Sequence, residues 1–123
     1  MDIIYAEMCS KATEIQSAWH PSFGDLTNQG IVVRIFPNGE KGVVSPGGDG
    51  VYSRDLLIWY PYQDQLQEMI LDKRDALTLY CNTHDIICFD WKYFESFKTM
   101  EQLWFALVMR ERYKKIWIEE DWK

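Results

Sequence analysis

Histidine is almost missing from this chain of 123 residues: His20 and His84 are the only two, beside three cysteines, Cys9, Cys81 and Cys88. An odd, irregularly spaced cysteine set does not build a disulfide framework, so the thiols are expected to be reduced, as in the cytoplasm of a bacterial host cell. With two histidines and no Gly-x-Ser-x-Gly elbow, nucleophilic catalysis has little to draw on. Basic residues are also scarce, 13 against 19 acidic, for a net charge of −6. Nucleic-acid binding by phosphate neutralisation needs the opposite balance, and anionic membranes would repel such a surface. No apolar run approaches the length of a membrane span, and Met1-Asp2-Ile3-Ile4-Tyr5 has neither the basic nor the apolar region of a secretion signal. Repeats, low-complexity tracts and linker-like charge runs are absent too, which points to one domain over residues 1–123.

What is abundant is aromatic surface. Six Trp, seven Tyr and six Phe make 15% of the chain. Large rings bring enough apolar area for a small core to stand without disulfides or metals. Ile4, Met8, Ala12, Ile15 and Trp19 recur at helical spacing and predict one helix over Asp2–Trp19. Asp2 serves as its N-cap, and His20-Pro21 ends it. After a turn-rich stretch, Ser22–Gly30, the run Ile31–Phe36 is the strongest strand signal. Pro37-Asn38-Gly39 then gives a turn, Lys41–Ser45 a returning strand, and Val51–Trp59 a third.

Pro61 opens a second helix, Pro61–Leu71, with Tyr62, Leu66, Met69 and Ile70 on one face. The pattern does not decide between helix and strand for Leu71–Cys81. Ile86-Ile87-Cys88-Phe89 reads as a short buried strand. The third helix, Met100–Tyr113, carries a Thr99/Gln102 capping box and a stripe of Met100, Leu103, Trp104, Leu107 and Val108. Arg110, Arg112, Lys114 and Lys115 sit at its C-terminal end, where the helix dipole favours cations. Ile116-Trp117-Ile118 follows as an edge strand or docked tail. The expected fold is α+β: a small antiparallel meander centred on Ile31–Trp59, packed against three amphipathic helices.

Four features carry chemical potential. Cys81, His84 and Cys88 offer three zinc ligands within eight residues. A structural zinc site wants four, and only the distant Cys9 or His20 could complete it, so buried core thiols are the simpler reading. Asp90-Trp91-Lys92 has the acid-x-lysine pattern of some metal-dependent nucleases, which need a second carboxylate, here Asp85 or Asp55. Gly47-Gly48-Asp49-Gly50 lacks the Gly-Lys-Ser/Thr ending of a phosphate loop and reads as a turn. Tyr60, Tyr62, Trp91, Tyr93, Trp117 and Trp122 are the rings least committed to helical stripes, and they suit a protein contact better than a base-stacking platform. No catalytic, cofactor-binding or metal-binding residue is assigned from sequence, and no cofactor.

Three stretches carry a family resemblance. They are Glu14–Pro21 with Gly24-Asp25; Trp59–Met69, with its Gln65-Leu66-Gln67-Glu68-Met69 run; and Thr99–Met109, with Met100-Glu101-Gln102-Leu103-Trp104 and the later Tyr113, Trp117 and Trp122. Over roughly a third of its length the chain resembles a family of small, uncharacterised phage and prophage proteins. The resemblance implies origin and no reaction, cofactor or catalytic residue. It leaves an accessory protein acting by protein binding as the expected function. A metal-dependent nuclease, and an acidic decoy for a host nucleic-acid-binding protein, are the alternatives.

Overall fold

The computed structural model describes residues 2–35, 41–44, 50–53, 56–71 and 76–123. It shows helices together with small antiparallel sheets, an α+β fold. The residues group into two compact units, Met1–Tyr62 and Gln63–Lys123.

In the first unit the expected single helix is two, α1 (Ile3–Lys11) and α2 (Thr13–Ala18), broken at Ala12. Asp2 caps α1 as expected, its Oδ1 accepting from the Ile4 and Tyr5 amides at 3.0 and 3.2 Å. The break contains neither proline nor glycine. At the break the Cys9 carbonyl accepts from the Ala12 amide, 3.2 Å, and from the side-chain amide of Gln16, 3.1 Å. A side chain entering the carbonyl ladder is a recognised cause of a sharp bend. Tyr5, Met8, Cys9, Ala12, Ile15 and Trp19 are buried, whereas Ile4 points outward. The break therefore keeps Ala12, Ile15 and Trp19 on the buried side, as the spacing predicts. Trp19 is already extended, ψ 131°, ahead of His20-Pro21.

Four antiparallel strands follow in meander order: β1 (Leu26–Thr27), β2 (Gly30–Ile35), β3 (Lys41–Val44) and β4 (Gly50–Ser53). β1 lies inside the stretch expected to be turns. Its hairpin is set by Thr27, whose hydroxyl donates to the Gly30 carbonyl at 2.8 Å and accepts from the Gln29 amide at 3.1 Å. Across β2 and β3 the register runs Val32 to Val44 and then Arg34 to Val43, so Val33 is the extra residue of a bulge. Val32 is fully buried, while Ile31 and Val33 on either side are exposed, the alternation that a half-covered sheet requires. The third strand ends at Ser53, well short of Trp59. Trp59 instead bridges Thr27, flanked by hydrogen bonds from Tyr60 N to Leu26 O, 2.8 Å, and from Asn28 N to Ile58 O, 3.0 Å. The predicted Pro37-Asn38-Gly39 turn and the glycine loop over 47–49 lie outside the described residues.

Among the described residues the second unit has four helices: α3 (Gln63–Leu71), α4 (Ala76–Phe89), α5 (Trp91–Phe94) and α6 (Met100–Tyr113). A ribbon of β5 (Trp117–Ile118) and β6 (Asp121–Trp122) completes it. Helix α3 starts at Gln63, two residues beyond Pro61, and packs on α6 with Leu66 buried. The undecided segment is resolved where it is described: Ala76–Cys81 opens α4. Ile86–Phe89, expected as a strand, is the last turn of that helix. Four consecutive apolar residues are compatible with either geometry, and here the helix is already running when it reaches them.

In α6 the cap is shifted by one residue. Thr99 Oγ1 accepts from the Gln102 amide at 3.1 Å, but Gln102 Oε1 reaches back to the Lys98 amide, 2.9 Å, rather than to that of Thr99. Trp104 to Met109 are all buried, so the middle of this helix is covered all round rather than along a stripe. Met100, assigned to the stripe, is exposed. Beyond α6, Trp117 and Trp122 face each other across the ribbon with ring centroids 4.9 Å apart, and Trp122 stacks on Phe105 at 5.7 Å. The ribbon is thus a docked element, its end pinned by paired Ile116 and Lys123 backbone bonds at 3.1 and 2.9 Å.

Candidate functional site

The helical course of residues 76–89 decides what the candidate ligands can do. On a strand, positions four apart lie about 13 Å from each other, too far for His84 and Cys88 to share a metal. On a helix, positions four apart lie one above the other. The Cys88 Sγ accordingly sits 3.8 Å from His84 Nδ1 and 3.7 Å from Nε2. Asp85 Oδ1 stands 3.8 Å from His84 Nδ1, and the Tyr80 ring stacks over the imidazole at 5.9 Å. Cys81 and Cys88 are exposed, contrary to the expectation of buried core thiols. The third cysteine, Cys9, does follow it: burial pushes that thiol well above its ordinary range and keeps it protonated.

Among the described residues no group of three or more His, Cys, Asp or Glu side chains gathers to hold a metal ion. Cys81, His84 and Cys88 thus supply at most a pair, His84 with Cys88. Neither Cys9 nor His20 joins such a group.

Of the acid-x-lysine pattern, the acid is drawn into an ion pair. Asp90 follows the end of α4, and its carboxylate is ion-paired with Arg110 of α6. The same guanidinium lies 5.7 Å over the Phe94 ring. Lys92 is exposed at the start of α5. Asp55, one of the two carboxylates that could have joined Asp90, lies outside the described residues. Arg110 was read from sequence as part of a dipole-stabilising patch. The structure gives it this partner one helix away.

The aromatic candidates separate into two groups. Tyr60 and Trp122 are buried, and Tyr93 and Trp117 are half-buried and joined, the Trp117 amide donating to the Tyr93 oxygen at 2.8 Å. Burial raises the Tyr93 phenol above its ordinary range, opposed by that hydrogen bond and by Arg110. Tyr62 is exposed at its ring and donates to the Gly24 carbonyl, 3.0 Å. Trp91 is exposed outright at 52%.

Two further rings share that exposure and were missed: Tyr80 at 66% and Phe89 at 84%, both on α4. The signal was present. Thr83 is buried and Ile86 and Ile87 are half-buried, spaced three and four residues apart as a helix demands, while Tyr80, His84, Cys88, Cys81, Asp85 and Phe89 occupy the exposed remainder.

The chain matches no protein-family model, no curated protein and no solved structure. Among the described residues no helix is long and apolar enough to cross a membrane.

Proposed function

We propose that the protein is a small accessory protein of phage or prophage origin that works by binding another protein through the exposed face of α4 and α5. The observation that carries this reading is the set of three large rings, Tyr80, Phe89 and Trp91, left in solvent within one twelve-residue stretch. Burying Phe89 alone would remove a full aromatic side chain from water, worth about 2 kcal/mol. Aromatic side chains are enriched and charges depleted at the centres of protein interfaces. Between Tyr80 and Phe89 the one charged side chain is Asp85, in a chain where 26% of residues are charged. The resemblance to phage and prophage proteins supports the origin, and the net charge of −6 favours a protein partner over nucleic acid.

The test is a paired substitution, Phe89→Ser with Trp91→Ser, compared with the wild type for association in solution and for retention of proteins from a bacterial lysate. Both positions are exposed, so the far-ultraviolet circular dichroism should be unchanged. The reading expects the wild type to associate, with itself or with another protein, and the double variant to lose this. Equal behaviour of the two chains would overturn it.

A further inference from the structure

We propose that Cys88 is the reactive thiol of this chain, a site that forms mixed disulfides with small disulfide compounds after handing its proton to His84. Two exposed cysteines lie on α4, and their surroundings differ. The Cys88 Sγ stands 3.7 Å from His84 Nε2 and 3.8 Å from Nδ1. A neutral imidazole leaves one ring nitrogen free to accept. With the sulfur nearly equidistant from the two, either tautomer has a receiving atom beside the thiol. Such contacts are commonly long in the free protein and tighten only when the reactant is in place. Tyr80 stacks on the imidazole with centroids 5.9 Å apart, which restricts its rotation. Asp85 Oδ1, 3.8 Å from Nδ1, favours the imidazolium once it forms, by a small amount because both groups are in solvent. Cys81 is the control inside the same helix. It is exposed too, but among the described residues the His84 imidazole contacts Cys88 and not Cys81.

In the step itself, one ring nitrogen of His84 takes the Sγ proton and the thiolate attacks one sulfur of the disulfide. A bond forms between the Cys88 sulfur and that sulfur, while the bond inside the reagent breaks. Its electron pair leaves on the second sulfur, which receives the proton back from the imidazolium. The Cys88 sulfur is oxidised and the departing sulfur is reduced to a thiol, so no further oxidant is needed. The adduct then has no way out within α4. Cys81 lies seven residues away along the helix, about 10.5 Å at 1.5 Å per residue. A disulfide spans at most about 7 Å between α-carbons, so Cys81 cannot displace the adduct while the helix is folded. The third thiol, Cys9, is buried. The modification therefore persists until an external thiol removes it.

The experiment follows the full chain, alone and at neutral pH, with two probes: a chromogenic aromatic disulfide for rates and oxidised glutathione for the product. A free thiol is only a few per cent thiolate at that pH, so a neighbour that takes its proton has room to raise the rate. Cys88, measured in Cys81→Ser, is expected to react roughly ten-fold faster than Cys81, measured in Cys88→Ser. The lead should narrow at mildly alkaline pH, where hydroxide itself removes thiol protons. His84→Ala should bring Cys88 down to the rate of Cys81 and leave Cys81 unchanged, and added imidazole should restore part of the lead. His84→Asn keeps a polar side chain but takes no proton, and should behave as His84→Ala does. After oxidised glutathione, the intact mass should rise by one glutathione, mapped to Cys88 and stable until a reducing thiol is added. Equal rates for the two cysteines, a lead that survives in both His84 variants, or a first adduct on Cys81 would each overturn the proposal.

Discussion

Gln16 treats the backbone of Trp59 as a neighbouring strand would. Its Oε1 accepts from the Trp59 amide at 2.9 Å and its Nε2 donates to the Trp59 carbonyl at 2.9 Å. Trp59 pairs with Thr27 on its other edge, so one glutamine side chain completes the hydrogen bonding of a segment that has β1 on one side only. The same Nε2 reaches the Cys9 carbonyl at the break between α1 and α2. Trp59 itself stacks on Trp19, centroids 5.8 Å apart and planes 8° from parallel, and Trp19 donates its indole N–H to buried Asp25 at 2.9 Å.

Replacing Gln16 with Leu keeps the bulk and removes both halves of this bond. The Trp59 amide and carbonyl, on a buried residue, are left without their partner. Loss of about 2–4 kcal/mol is expected, measured by urea unfolding at neutral pH. The near-ultraviolet circular dichroism of the Trp19–Trp59 stack should weaken in parallel. A loss below about 0.5 kcal/mol would mean that water takes the place of the amide at little cost.

This relationship also shows where the sequence could be read and where it could not. The buried positions of the first helices follow from the spacing of Met8, Ala12, Ile15 and Trp19, because a helix repeats its face whatever the tertiary context. The Asp2 and Thr99 caps follow from local chemistry. The break at Ala12 does not: it depends on Gln16 bonding to Cys9 and to Trp59, the latter far off in sequence. β1 was hidden because two residues give no alternation to read. Ile86–Phe89 was misassigned because a short apolar run has no period of its own. That one error separated His84 from Cys88 and buried Phe89, so the candidate site became legible only with the helix.

Three non-glycine residues hold left-handed backbone near the C-terminus. Lys114 ends α6 at φ 58°, with its own amide on the Arg110 carbonyl and that of Lys115 on Met109, 3.2 Å each. Glu119 and Glu120, at φ 54° and 62°, form the two-residue turn of the β5–β6 ribbon. Glycine reaches this region without a Cβ penalty and is the usual residue at such caps. Lys114→Gly is therefore expected to stabilise by about 1 kcal/mol, and Glu119→Asn with Glu120→Gly by a similar amount. The second pair forfeits the exposed Lys123–Glu119 contact, which is worth only a few tenths of that. Thermal unfolding checks both. A lower melting temperature in either would show that these side chains contribute more to the folded state than their backbone costs.

The three thiols should react in two classes. Cys81 and Cys88 are exposed and Cys9 is buried. A chromogenic disulfide reagent at mildly alkaline pH is expected to titrate two thiols quickly in the native protein and the third only after denaturation. Cys81→Ser and Cys88→Ser should each remove one fast equivalent. A third fast equivalent would place Cys9 within reach of solvent through local opening.

Alkali should destabilise the fold through the same buried group. Burial raises the Cys9 thiol from an ordinary value of 9.0 and the Tyr93 phenol from 10.0. A group whose folded pKa is raised holds its proton while the unfolded chain releases it. Its stabilising contribution is thus complete below the unfolded value and declines as pH climbs past it, by up to about 1.4 kcal/mol per pH unit for each group. Stability is expected to fall beyond pH 9.0 and to steepen beyond 10.0, as Cys9 and then Tyr93 come into play. Cys9→Ala, measured by urea unfolding between these values, should be less stable at neutral pH from lost packing yet show a flatter decline. An unchanged slope in Cys9→Ala would mean that the thiol ionises as readily in the folded chain as in the unfolded one.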